Sequence, residues 1–315
     1  MRNKRSLKNS FLLFIAAFIW GVAFVSQSKG MEYVGPFTFN GIRSLIGAAV
    51  LLPVIAFRRK KEESERQQVS LKMNILGGVC CGLALTAASM FQQYGILYTT
   101  VGKAGFITAL YIIFVPILGI FMRKKVPGTV WISALMAAAG MYLLCIEGSF
   151  RVGRGDAIVF ICALLFSVHI LVIDFFSPRA DGVVLSCIQF FVCGLVCTTL
   201  AFVFEEVRIS SLLSGVLPIL YAGIMSCGVA YTLQIVGQKD MNPTVAALIL
   251  SLESVISVLA GWAAYRVGFL KDDQTLSARQ ILGCVIVFVA VILAQLPLRE
   301  LLKKTGKSEN QNLKK

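Results

Sequence analysis

Long apolar stretches alternate with short polar ones along the whole chain, and this rhythm predicts its elements. A helix that crosses a bilayer needs about 20 mostly apolar residues. Ten stretches meet that length, at residues 9–28, 35–57, 73–94, 100–122, 129–146, 155–176, 183–204, 212–237, 243–265 and 278–297. The connections are short, so consecutive helices are expected to be antiparallel neighbours. The first stretch has a basic start (Arg2, Lys4, Arg5, Lys8), yet its apolar run carries Trp20-Gly21 and lacks a small-x-small cleavage site. It reads as a span and not as a cleaved signal peptide. The expected fold is an all-α integral membrane protein of ten transmembrane helices.

Composition narrows the class further. The 315 residues are 57% hydrophobic and only 15% charged, with a mean hydropathy of +0.80. A soluble chain is about 45–50% apolar and about 25% charged, so this one has too few polar residues to coat a water-soluble surface. That excludes soluble enzymes, secreted disulfide scaffolds and disordered proteins. The nine cysteines all lie inside apolar stretches and make no C-x-x-C pair, so they read as packing residues and not as a disulfide or metal framework. No cofactor and no metal are expected.

The net charge of +14 is a topology signal. Lys and Arg occur in short runs between apolar stretches, as loops flanking membrane spans do, and not on a folded face suited to nucleic acid. With the N-terminus in the cytoplasm, 21 of the 30 fall on cytoplasmic segments and 8 on the opposite side, with Arg43 inside a span. Both termini are therefore expected in the cytoplasm, on basic tails 1–8 and 298–315, in a multi-pass plasma-membrane protein. The expected partners are the lipid bilayer, including anionic lipid at the inner surface, and a small-molecule solute.

The chain also repeats itself. A shift of 142 residues places Gln92 on Gln234, Gly95 on Gly237, Ala104 on Ala246 and Leu110 on Leu252. A shift of 146 aligns Ala16-Ala17-Phe18-Ile19-Trp20-Gly21 with Cys162-Ala163-Leu164-Leu165-Phe166-Ser167. The halves are 9–146 and 155–297, with five spans each. Because five is odd, the second half must enter the membrane from the opposite side. Inverted repeats recur in secondary transporters, whose halves rock about a shared midplane site. Duplication retained for folding alone is the other reading. Gly78, Gly82 and Thr86, and likewise Ala222, Ser226 and Ala230, form small-residue faces suited to close helix packing.

Several motifs carry a family resemblance over residues 10–297. Trp20-Gly21-x-x-Phe24, Asn40-x-x-Arg43, Tyr94-Gly95-x-x-Tyr98-Thr99-Thr100 followed by Ala104, Thr108 and Pro116, and Gly155-Asp156 resemble the EamA-type transporters of the drug/metabolite transporter superfamily. Two positions depart from that pattern. Glu253-Ser254 stands where Glu-Pro is usual, and Tyr265-Arg266-Val267-Gly268 replaces a closing Gly-Glu. The resemblance implies a secondary-active or facilitative carrier that moves small organic solutes, often exporting amino acids or related metabolites. It also places Trp20, Tyr94, Tyr98 and Tyr111 in spans surrounding a central cavity.

Ionisable groups inside the membrane are costly and default to functional candidates. Arg43 and Glu253 both lie near the midplane by helix rise. They either set the electrostatics of a central site, with protonation of Glu253 coupled to solute movement, or are satisfied structural residues. His169, the only histidine, and Gln189 lie at similar depth on consecutive spans, within reach of each other or of one solute. Asp174 lies about 140° around the helix from His169 and belongs to the cytoplasmic mouth beside Arg179. Enzyme signatures are absent: there is no P-loop, no Gly-x-Ser-x-Gly and no His-Glu-x-x-His, and Asp272-Asp273 is an isolated pair. An intramembrane enzyme, a channel and a receptor are the competing classes.

Overall fold

The computed structural model describes residues 2–61, 70–124, 126, 128–145, 153–271, 275 and 277–295. Most of the basic run between the second and third stretches, Lys125, Arg151, Asp272, Asp273 and the tail 298–315 lie outside the described residues, as do Ile146 and residues 296–297. The described residues are mostly helical, with no strand among them.

Seven unbroken helices are α1 (Arg2–Gly30), α2 (Pro36–Lys61), α3 (Leu71–Ile96), α5 (Gly128–Cys145), α6 (Arg154–Phe176), α7 (Gly182–Phe204) and α10 (Ala278–Gln295). Three are interrupted: α4 (Val101–Phe121), α8 (Val216–Gln238) and α9 (Pro243–Arg266). A short helix, Ile209–Ser214, precedes α8. Eight of these ten elements are long and apolar enough to cross a membrane; the apolar parts of the other two, Gly128–Gly140 and Ala278–Leu293, are shorter. Those two, α5 and α10, pack on each other.

The helix starts are fixed by local chemistry. Asp181 Oδ1 accepts from Val183 N and Val184 N at the head of α7, and Asn242 Oδ1 accepts from Thr244 N with Pro243 at the first helical position of α9. The cap of α2 comes from far along the chain. Both Glu205 oxygens accept, from Phe37 N and Thr38 N at 2.8 Å, placing negative charge at the positive end of the helix dipole.

The three interruptions have identifiable causes. In α4 the chain breaks at Leu110, where Leu110 N bonds Ile107 O and Ile113 N bonds Leu110 O. These are tightened three-residue turns, and Pro116 downstream removes a further backbone donor. In α9 the break falls at Ser251. Ser251, Ser254 and Ser257 donate their hydroxyls back to Leu248 O, Ser251 O and Ser254 O at 2.7–2.8 Å, a competition with the backbone ladder that bends helices. In α8 residues Tyr221–Tyr231 are π-helical, a rare winding that concentrates at functional sites.

The outer surface is apolar, unlike that of a soluble protein. Large apolar side chains such as Phe57, Phe121 and Phe202 face outward, each more than 70% exposed, while the interior mixes apolar side chains such as Leu13, Phe39 and Phe190 with buried Ser, Thr and Gln. Close helix contacts depend on glycine. A Cβ on Gly21 of α1 would stand 2.4 Å from Ile256 Cβ and 3.0 Å from Glu253 O of α9. Gly78 and Gly82 of α3 admit Ile188, Val192 and the Gln189 carbonyl of α7, so the small-residue face of α3 is a packing face. In α8, Ala222 and Ala230 are fully buried.

Gly155, at the head of α6, lies against the backbone of α3 and the turn after it; an added Cβ would approach Tyr98 C and O at 2.7 Å and Gly95 O at 2.8 Å. Backbone cannot swing aside as a side chain does. Gly155→Ala is expected to destabilise the detergent-purified protein by about 1–3 kcal/mol, read as a lowered melting temperature. Gly128→Ala, with nothing within 4 Å of the new methyl, should leave it unchanged.

Candidate functional site

The breaks in α4 and α9 and the π-helical stretch of α8 converge on one central cavity. Its walls are Trp20, Phe24 and Gln27 from α1, Arg43 from α2, Gln92 from α3 and Thr108 and Tyr111 from α4. The facing walls are Phe166 and Ile170 from α6, Ser226, Tyr231 and Gln234 from α8, and Leu250 and Glu253 from α9. The free volume is ≈ 30 Å³, room for about two water molecules. The cavity is therefore nearly collapsed around its own side chains.

Each helix break aims a functional group inward. Tyr111 is the first residue after the break in α4, and Glu253 the second after Ser251 in α9. Tyr111 Oη donates to Glu253 Oε1 at 2.8 Å, both residues buried. Arg43 is 3% exposed; its Nη1 donates to Gln27 Oε1 at 3.1 Å and its guanidinium stands 5.6 Å from the Phe39 ring. Gln93 Nε2 donates to Gln27 O at 3.3 Å and so steadies the residue that holds Arg43. Gln92 Nε2 donates to Thr108 Oγ1 at 3.2 Å. Trp20 stacks against Tyr231 with ring centroids 4.5 Å apart.

Arg43 and Glu253 share the cavity but form no ion pair with each other. Three buried polar atoms of the lining also have no partner: Trp20 Nε1, Arg43 Nε and Gln234 Oε1. Unpaired polar atoms in an apolar enclosure are expensive, and native structures keep few of them. Two donors and one acceptor therefore remain available at a site that also carries one cationic and one acidic side chain.

The residues picked out from sequence divide into three groups. Trp20, Arg43, Tyr111 and Glu253 line the cavity. His169 and Gln189 do not; His169 Nε2 lies 3.2 Å from Gln189 Oε1, and the imidazole meets Tyr231 at 6.0 Å, one ring behind the cavity wall. Tyr94 and Tyr98 stand outside the cavity lining. They are 36% and 48% exposed, pack on each other at 5.7 Å, and Arg154 covers Tyr98 at 5.0 Å. The resemblance placed Tyr94 in a span beside the cavity but did not give the direction of its side chain, which is exposed and absent from the cavity wall. Asp174 pairs with Lys124 at 2.6 Å, and not with Arg179, which bonds the Phe175 carbonyl and stacks over the Phe175 ring.

Sequence reasoning missed Gln27, Gln92, Gln234 and Tyr231 as site residues. A signal for several of them was present. Gln92 and Gln234 stand 142 residues apart, and so do Thr108 and Leu250, and Tyr111 and Glu253; all six line the cavity. Trp20 and Phe166 stand 146 apart, as do Phe24 and Ile170, and all four line it too.

The model of the EamA-like transporter family matches residues 7–146 and again 153–296. An uncharacterized transporter of Archaeoglobus fulgidus is 28% identical over 290 residues, covering 90% of this chain and 84% of its own length. The uncharacterized transporter YoaV of Bacillus subtilis is 21% identical over 87% of this chain and 92% of its own. A crystal structure of a protein with 19% identity superposes with a TM-score of 0.70, covering 93% of this chain and 98% of that one, a likeness of fold.

The Tyr111–Glu253 bond yields a direct test. Tyr111→Phe strips a buried carboxyl of its donor and should cost about 1–3 kcal/mol, read by thermal unfolding. Tyr231→Phe, whose hydroxyl makes no hydrogen bond among the described residues, should cost much less.

Proposed function

Since the chain belongs to the EamA-like transporter family and is a multi-pass membrane protein, we propose that it is a secondary-active or facilitative carrier which exports a small organic metabolite through the central cavity by alternating access. Its substrate class is amino-acid-like: one anionic and one cationic group on a small frame. The observation that carries this reading is the unpaired placement of Arg43 and Glu253 on one cavity, together with the unused Arg43 Nε, Trp20 Nε1 and Gln234 Oε1. A solute carboxylate opposite Arg43 gains a charge-assisted bond, and a solute ammonium finds its acceptor in Glu253. The aromatic walls Trp20, Phe24, Phe166 and Tyr231 accept an apolar body.

In this proposal α5 and α10 are the fifth and tenth spans, and the chain is two inverted five-helix halves. Three features support that arrangement: the family model matches twice, α4 and α9 break at nearly equivalent places, and five pairs of cavity residues recur at the two repeat spacings. Inverted halves provide two nearly equivalent packings, open to opposite sides, about one site. The proposed location is the plasma membrane with both termini in the cytoplasm, supported by the excess of Lys and Arg on that side. Protonation of Glu253 is the proposed coupling step.

Reconstitution in proteoliposomes is the test. Saturable flux of an amino-acid-like solute, responsive to an imposed pH or voltage gradient, is expected; a fast ohmic current would sink the carrier reading. A thermal-shift screen of metabolites identifies the solute, since a bound ligand stabilises the native state by mass action. Glu253→Gln keeps the size and the acceptor for Tyr111 but removes the titrating group. It is expected to flatten the pH dependence of flux, and an unchanged profile would remove Glu253 from coupling.

A further inference from the structure

Helices α4 and α6 run side by side past the cavity, and each end of the pair is tied by one ion pair. At the end where both helices begin, Asp156 of α6 lies 3.8 Å from Lys103 Nζ of α4; it also accepts from Thr99 Oγ1 at 2.7 Å and from Gly153 N at 3.0 Å. At the end where both finish, Asp174 of α6 lies 2.6 Å from Lys124 Nζ, just beyond α4. Eighteen residues of helix separate the two aspartates, about 27 Å, close to the thickness of a bilayer core. The aspartates are largely buried and the lysines about 40% exposed. Between the two ties, the same helices line the cavity.

The two ends differ in what backs the tie. At the Asp156 end the backbone is in contact, with Gly155 against Tyr98 and Gly95, and Arg154 covers Tyr98. At the Asp174 end a vestibule of ≈ 640 Å³ opens against the tie, lined by Lys124, Asp174, Arg179 and Asp240 among others. One end is closed by backbone contact, and at the other the ion pair lies in the wall of an open vestibule.

We infer that Asp156–Lys103 and Asp174–Lys124 are two alternating latches of the carrier, and that the Asp174–Lys124 pair is the thin one, which opens first from the state seen here. With both ties made, the cavity is nearly filled by its own side chains, at ≈ 30 Å³, too small to hold a metabolite. Parting α4 from α6 at one end exposes the cavity there; the opposite latch then holds the helices together and keeps the far side shut. Each latch biases one arrangement of a two-state element, which is the requirement for coupling the two sides. This inference rests on the reading of the chain as a carrier.

Hydrogen-exchange mass spectrometry on the full-length protein in lipid nanodiscs tests it without any solute. Asp174→Asn should speed exchange about fivefold or more in segments 119–124 and 174–181, and slow it in segments 97–104 and 153–158. Asp156→Asn should do the reverse, with a smaller effect because the packed glycine remains. The exchanged pair Lys124→Asp with Asp174→Lys should restore the wild-type pattern. If either asparagine variant fails to fold, Lys124→Gln and Lys103→Gln remove the same ties from the half-exposed side. Faster exchange confined to the altered end, with the far end unchanged, is what a purely structural ion pair gives and would overturn the inference. Absence of flux in liposomes would instead overturn the carrier reading and leave the exchange result standing.

Discussion

Hydrocarbon offers no partner to a freed backbone N–H or C=O, so a break in a membrane helix survives only where protein surrounds it. Much of this architecture follows from that constraint. The breaks at Leu110 and Ser251 and the π-helical stretch Tyr221–Tyr231 all border the central cavity, although Ile224 and Met225 of that stretch face outward. The serines of α9 occupy backbone acceptors around its break with their own hydroxyls. In α4 tightened turns do the equivalent work. Enclosing these breaks requires close neighbours, which explains why glycine stands at the contacts of α1 with α9 and of α3 with α7.

The same enclosure makes the chemistry of the cavity sharp. A cation, an acid and several amides held among aromatic rings are poorly screened, so each unused donor or acceptor counts. The repeat positions are similar in place and different in chemistry. Tyr111 faces its counterpart Glu253 and donates to it, while Thr108 faces Leu250 and Trp20 corresponds to Phe166. Corresponding positions at these two spacings thus carry unlike side chains, and the lining holds one cation, Arg43, and one acid, Glu253.

Much of the fold was legible because the membrane imposes a length and a hydrophobicity on every span. The apolar stretches predicted ten spans; eight of them are helices long and apolar enough to cross a membrane, within a few residues of the predicted limits, and the other two are shorter apolar helices among the described residues. Depth was legible as well, since the helix rise converts sequence distance into height. That is why Arg43 and Glu253 were found, while Trp20 and Tyr111 came from the family resemblance. Azimuth was not legible. Tyr94 and Gln92 are two residues apart, yet one faces outward and the other the cavity, and only the packing of α3 against α6 and α7 decides which.

By itself the sequence determined the class of solvent, the place of the eight long apolar helices and the recurrence of residues at fixed spacings, because each of these is a property of local composition along one chain. Tertiary structure alone decided that Arg43 turns to Gln27 and not to Glu253, that Tyr111 meets Glu253 across 142 residues, and that Lys124 and not Arg179 takes Asp174. Pairings of this kind depend on how helices rotate about their own axes, and that rotation is set by glycine contacts and helix breaks between distant segments.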